Sequence, residues 1–318
     1  TQELPLLVSM TFEENGVSVT GTSVEVYVSL FNDLDVDAIG INCTLTPDLM
    51  LSLARKLALF SRKPIFTEPN AGKPILTGDG RLLYKTSPEE FAVHMEDHVQ
   101  VGMNIIGGCC GSGPEHIEYM MKMFGNRRAM KRNVEKLDVI SNRTYMVNIS
   151  PFLIVGERIN ASGKKKFQEK IRNFDIENIL KLAREQENEG AQVLDVNLGN
   201  ETFLSKEHFK KVIVELDRVV SIPLSLDIQS EGFLKAALFE YPGRPLINSS
   251  KATKEELDKK IALLKRFGGV LIILAMGNEI PQSAQERYKI GKWAVEYVTS
   301  QGIEKDRIFV DPLVLPFG

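Results

Sequence analysis

The chain has 318 residues, of which 43% are hydrophobic and 25% charged, with a formal net charge of −3. That balance is the balance of a globular protein, long enough for two domains, and it excludes a basic nucleic-acid surface. The most basic stretch, Asn126-Arg127-Arg128-Ala129-Met130-Lys131-Arg132, reads as a solvated connection and not as a phosphate-binding patch. No apolar run reaches membrane-spanning length, the first residues show no leader pattern, and three cysteines alone suit a reducing cytoplasm.

From Pro5 to Gly125, short apolar strands alternate with amphipathic helices. Strands are expected near residues 6–12, 38–43, 64–67 and 104–108, and helices near 24–34, 47–61, 88–101 and 114–124. Pro47, Pro88 and Pro114 each stand at a first helical position behind Thr46, Ser87 and Gly113, a strong start signal. Residues 126–150 are polar and break the rhythm, so they read as the connection between residues 1–125 and 151–318. The alternation then resumes, with strands near 152–157, 193–197, 224–227, 246–249, 270–275 and 308–311. Helices near 176–189, 206–219, 232–241, 254–267 and 284–301 lie between them. Repeated βα units imply parallel sheets with helices packed outside. Four strands and then six, where a (β/α)8 TIM barrel needs eight, predict two incomplete barrels and an internal piece of a larger enzyme. Their open edges predict pairing with a second chain.

The pair Cys109-Cys110 lies in Gly107-Gly108-Cys109-Cys110-Gly111 and uses two of the three cysteines; Cys43 ends another apolar strand in Ile41-Asn42-Cys43-Thr44. Neighbours on a strand point to opposite faces, so burial alone gives no reason for adjacent cysteines between glycines. Glycines let the backbone leave strand geometry and turn both sulfurs toward one ion. Three thiolates at the ends of two strands make a soft-metal site with one position open, the arrangement of catalytic zinc. Asn70 in Pro69-Asn70-Ala71-Gly72 is a candidate fourth ligand whose amide oxygen a thiol could displace, or else a turn residue.

In the second half, polar residues gather at expected strand ends: Glu157, Arg158 and Asn160, then Asp195 and Asn197, Asp227 and Gln229, Asn248, and Asp311. Five strands repeating this placement predict a binding mouth at the C-terminal face of the sheet. Asn248 could instead cap the helix that follows. His94 and His98, four apart on one helix, read as surface residues, and Met120, Met121 and Met123 as helix packing.

These motifs in this order resemble the cobalamin-dependent methionine synthase family. The first half is similar to the end of its homocysteine-binding barrel through Gly40-Ile41-Asn42-Cys43, Glu68-Pro69-Asn70-Ala71-Gly72-Lys73-Pro74 and the cysteine pair. The second is similar to most of its methyltetrahydrofolate-binding barrel through Gly156-Glu157-Arg158-Ile159-Asn160, Leu194-Asp195-Val196-Asn197, Leu226-Asp227-Ile228-Gln229, Ile247-Asn248-Ser249 and Asp311-Pro312-Leu313.

The resemblance implies methyl transfer from 5-methyltetrahydrofolate, by way of cobalamin bound on a separate module, to zinc-held homocysteine. It makes Cys43, Cys109 and Cys110 the zinc ligands. Asp227, Asn248 and Asp311 become the residues that recognise the pterin, with Asn248 and Asp311 closest to the chemistry. A carboxylate can accept together from the ring N–H and amino group that a pterin presents side by side. Asn248, able to donate and accept, suits the region of N5. Other readings are a non-catalytic zinc-stapled scaffold that binds a pterin, and a different corrinoid-dependent pterin methyltransferase.

Overall fold

A computed structural model describes residues 4–199 and 202–314. The chain start read for a leader (residues 1–3) and the final residues 315–318 lie outside them. The chain divides into two compact units, Thr1–Leu137 and Asp138–Gly318.

In the first unit the order is β1 (Leu7–Met10), α1 (Val24–Phe31), β2 (Ala38–Asn42), α2 (Pro47–Phe60), β3 (Ile65–Glu68), β4 (Ile75–Leu76), β5 (Leu82–Leu83), α3 (Pro88–Gln100), β6 (Ile105–Ile106) and α4 (Pro114–Phe124). Strands β1, β2, β3 and β6 form one parallel sheet in that order. Its core packs Ile39, Ile41 and Ile65 against Met50, Leu53 and Leu57 of α2 and Val24 and Val28 of α1. Pro47, Pro88 and Pro114 do begin their helices, and the Ser87 hydroxyl accepts the Glu90 N–H at 3.2 Å. At Pro114 the cap is different: the Gly113 N–H donates to His116 Nδ1 at 3.1 Å.

The second unit runs β7 (Val139–Ser141), β8 (Met146–Asn148), β9 (Val155–Asn160), α5 (Lys165–Arg172), α6 (Ile176–Asn188), β10 (Val193–Asn197), α7 (Lys206–Val219), β11 (Leu224–Asp227), α8 (Glu231–Glu240), β12 (Leu246–Lys251), α9 (Lys254–Phe267), β13 (Val270–Leu274), α10 (Ala284–Ser300) and β14 (Ile308–Asp311). Strands β9 to β14 make one parallel sheet in sequence order. Strand β13 is a continuous apolar run, as burial on both faces favours, whereas β9 carries Glu157 and Arg158 and has half of its residues exposed. The two sheets are therefore open, with four and six parallel strands among the described residues, the architecture expected of incomplete (β/α)8 barrels.

Several elements differ from expectation. Residues 139–148 are not linker but an antiparallel hairpin of the second unit. Ile140 and Val147 pack on Val193, Leu246 and Val270, the first residues of three strands, and so cover the N-terminal end of the sheet. Buried Arg244 fastens it by donating to the Val139 carbonyl at 2.7 Å. Strand β9 starts three residues later than the apolar triplet at 152–154 suggested, because Phe152 and Ile154 are exposed. Helix α5 escaped notice since Phe167 and Ile171, one turn apart, are its only apolar residues. The hairpin β4–β5 closes through Gly78-Asp79-Gly80, with the Thr77 N–H donating to the Arg81 carbonyl.

Two readings on helices are corrected. His98 is fully buried: its ring lies 3.0 Å from the Thr67 hydroxyl through Nδ1 and 2.8 Å from the Pro47 carbonyl through Nε2. Met120 packs in the core, but Met121 and Met123 are exposed on the outer face of α4.

Candidate functional site

In the first unit, three loops meet beyond the ends of β2, β3 and β6. The backbone knits them: the Cys43 N–H donates to the Glu68 carbonyl, Asn70 to Leu45, Ala71 to Cys110, and Cys109 to Pro69, all at 2.8–2.9 Å. Cys43 and Thr44 both take positive φ, 62° and 57°. For a β-branched threonine that conformation is costly and persists only where the surroundings enforce it. It turns the chain sharply off β2 and puts the Cys43 sulfur beside the pair from β6.

The three sulfurs lie within 4.8 Å of one another. Cys43 Sγ is 3.6 Å from Cys110 Sγ, which is 4.0 Å from Cys109 Sγ. Thiolates bound tetrahedrally to zinc at about 2.3 Å stand roughly 3.8 Å apart, so the donor set fits that ion. Electrostatics points the same way. Burial, then the neighbouring Cys43 and Cys110, pushes the Cys109 thiol up to about 12. Burial also acts to raise Cys43, but hydrogen bonds from the Thr44 N–H, the other two thiols and Asn70 outweigh it and leave this thiol below its ordinary value. Three adjacent thiols cannot ionise together without a counter-charge, which a divalent cation supplies.

Asn70 is buried, and its Oδ1 accepts the Cys110 N–H at 3.1 Å. The oxygen expected as a displaceable ligand thus fastens the loop that carries the cysteine pair. Sequence reasoning missed Tyr84. It follows β5, its ring covers Gly111, and the three neighbouring thiols act to raise its hydroxyl above the ordinary value, after burial. A Cβ on Gly111 would sit 2.2 Å from the ring, and φ there is +81°. That contact was invisible in the sequence because it depends on how the hairpin folds over.

In the second unit, the register aligns Asn160 with Asn197, Asp195 with Ser225, Asp227 with Asn248, and Leu274 with Asp311. Asn160 ends β9, but its side-chain oxygen accepts the Ser162 N–H at 2.7 Å. Glu157 is exposed within β9 at the register shift opposite Asp195, not at the strand end. Arg158 leaves the mouth altogether and pairs with Glu189.

Asn197 Nδ2 donates to Asp227 Oδ2 at 2.8 Å. Asn248 Nδ2 donates to Asp195 Oδ1 at 3.0 Å, and the Ser225 hydroxyl donates to the same oxygen at 2.6 Å. Asp195 is 5% exposed; burial raises it above the usual carboxylate range, against the two hydrogen bonds that favour its charged form. Asp311 uses one oxygen on the Leu313 N–H at 2.7 Å. Thr253, not Asn248, caps α9, accepting the Glu256 N–H. Among the described residues, Asp227, Asn248 and Asp311 each keep an oxygen without a protein donor, a rim suited to a ligand edge rich in N–H groups.

Comparison with known proteins agrees with this division. Residues 1–124 match the family described as homocysteine S-methyltransferase, and residues 156–318 the family described as pterin binding enzyme. Methionine synthase of Mycobacterium tuberculosis (strain ATCC 25618 / H37Rv) is 27% identical over 326 residues, covering 98% of this chain and 27% of that protein. The Mycobacterium leprae (strain TN) methionine synthase is 26% identical over 328 residues with the same coverage. The chain thus spans about a quarter of the length of these curated relatives. Among solved structures, a dihydropteroate synthase from Xanthomonas albilineans with bound 7,8-dihydropteroate superposes with TM-score 0.41 and 16% identity, covering 55% of this chain and 64% of that one. A Burkholderia cenocepacia dihydropteroate synthase gives 0.39 and 20%, over 55% and 61%. No helix among the described residues is long and apolar enough to cross a membrane. The resemblance drawn from the motifs therefore holds for both segments, and by the match that spans residues 156–318, more than half of its length, the chain belongs to the pterin binding enzyme family.

Proposed function

We propose that the chain is the substrate-holding part of a methyltransferase that moves a methyl group from 5-methyltetrahydrofolate to homocysteine, by way of cobalamin on a separate module, giving methionine and tetrahydrofolate. The observation that carries the reading is the approach of three sulfurs within 4.8 Å, on two backbone-locked loops, in the chain whose other unit carries a rim of free oxygens.

Cys43, Cys109 and Cys110 would hold zinc, which when bound lowers the pKa of a substrate thiol so that its thiolate is present near neutral pH. The chain supplies the rest. Cys43 and the cysteine pair set the charge of the site at three negative donors, which keeps electron density on a fourth sulfur. Asn70 holds the Cys110 loop, and the Tyr84 ring covers Gly111 beside the cysteine pair. In the second unit Asp227, Asn248 and Asp311 would accept from the pterin edge, while Asn197 keeps Asp227 turned toward its neighbours. Asp195, Asn160 and Glu157 lie behind or beside that rim.

Metal analysis combined with thiol titration tests this reading. One zinc per chain should be found, and adding homocysteine should release about one proton per zinc. A chain without bound metal sinks the proposal, and so does zinc that ignores the added thiol, which would favour a stapled scaffold.

A further inference from the structure

Ser225 lies in β11 between hydrophobic neighbours, completely buried, and belongs to no motif of the binding mouth. Its hydroxyl nevertheless makes the 2.6 Å bond to Asp195 Oδ1, the oxygen that also receives Asn248 Nδ2 at 3.0 Å. The three residues stand on adjacent strands: Asp195 is in register with Ser225, and Asn248 lies one strand further, in register with Asp227.

An amide has one donor end and one acceptor end, so committing the donor decides what the other end offers. Asn248 gives its nitrogen to Asp195, and its Oδ1 accepts no hydrogen bond from the protein among the described residues. Two donors on one oxygen favour the charged carboxylate, and a buried carboxylate with a single neutral donor would be costly to keep charged. If Asp195 took a proton it could donate, and the Asn248 amide could turn over.

We propose that Ser225 and Asp195 are positioning residues: the Ser225 hydroxyl holds Asp195 as an acceptor, and Asp195 holds the Asn248 amide with its oxygen toward the mouth. Asn248 then meets its ligand with its oxygen and its remaining N–H held in one orientation. Its oxygen joins the free oxygens of Asp227 and Asp311 as acceptors for a ligand edge of N–H donors. The consequence for a pterin rests on the reading above: the Asn248 amide cannot turn over to exchange its oxygen and nitrogen ends.

A double-mutant cycle on the full chain tests this, reading the affinity for 5-methyltetrahydrofolate by calorimetry. Ser225→Ala should weaken binding about ten-fold in the wild-type background, and less than two-fold when Asn248→Ala is already present, because the serine acts only through the amide. A merely structural serine would weaken both backgrounds equally, and that additivity overturns the proposal. A second arm needs no ligand. The side-chain NH2 signals of Asn248, assigned by their loss in Asn248→Ser, should exchange with solvent at least ten times faster in Ser225→Ala, and unchanged exchange overturns the proposal. If the wild-type chain binds no methyltetrahydrofolate, the pterin reading falls by itself and the amide exchange still decides the positioning.

Discussion

Asn70 and Cys110 are joined by a 3.1 Å hydrogen bond from the Cys110 N–H to the buried Asn70 side-chain oxygen, which ties the loop after β3 to the loop after β6. Two of the three sulfurs depend on that second loop, and its other ties are the Cys109 N–H to Pro69 and the Ala71 N–H to Cys110. Partners that orient ligands without binding the ion typically cost 10–100-fold in metal affinity when removed. Asn70→Ala should therefore keep one zinc per chain but lose about ten-fold in affinity, read by competition with a chromophoric chelator. Complete loss of zinc at ordinary concentrations would instead make Asn70 a ligand.

Gly111 carries two separate constraints, a φ of +81° and the Tyr84 ring that would lie 2.2 Å from any Cβ. The first costs roughly 1–2 kcal/mol for a residue with a side chain, and nothing in the surroundings relieves it. The second can be relieved by moving the ring, which would uncover the loop that carries the cysteine pair. Gly111→Ala should lower both the unfolding temperature and the zinc affinity. Adding Tyr84→Ala removes the clash but not the strain. Stability should stay low in the double variant while zinc affinity recovers part of its loss; recovery of both would put the whole effect in the ring.

Much of this arrangement was legible beforehand, and the reasons are physical. Strand and helix alternation survives in the sequence because each element buries one face, and three helices announce themselves through a proline at their first turn. The cysteines could be grouped because two of them are adjacent between glycines. What the sequence does not carry is orientation. Nothing in Leu224-Ser225-Leu226-Asp227 shows that the serine hydroxyl turns toward Asp195, and nothing near Asn70 shows that its oxygen is spent on a backbone N–H. His98 was misread for a related cause: a histidine on a charged helix looks solvated until the strand residue Thr67 and the helix start at Pro47 are seen to face it. Hairpins 75–83 and 139–148 were lost because strands of two or three residues are too short to display a period.

His98 gives the first unit a pH dependence whose sign follows from burial. Burial holds its folded value below the ordinary histidine value near 6.5, so the native ring stays neutral where the unfolded chain takes a proton. The stability this contributes is complete above about pH 6.5 and is lost as pH falls toward the folded value, by at most about 1.4 kcal/mol per pH unit. His98→Gln keeps an acceptor for Thr67 and a donor for Pro47 but cannot titrate. Urea unfolding at pH 7.5 and 5.5 should show a larger loss in the wild type than in this variant. Equal losses would mean that the ring is protonated in the native state or is not enclosed.

Asp227 and Asn197 predict an order of effects at the other site. Asn197 Nδ2 occupies one oxygen of Asp227, so the other is left for a ligand, and the carboxylate can still share both of its oxygens with paired donors. Asp227→Asn replaces one of those oxygens with an NH2 group, which sets donor against donor and leaves a ligand N–H without a partner. By the usual cost of an unsatisfied charged hydrogen bond, methyltetrahydrofolate affinity should fall about 100-fold. Asn197→Ala leaves the carboxylate charged and only frees its orientation, so its loss should be about five-fold, within the ordinary value of one neutral-to-charged hydrogen bond. Calorimetry on the two variants measures both numbers. A larger loss for Asn197→Ala than for Asp227→Asn would show that the amide, and not the carboxylate, is what the ligand meets.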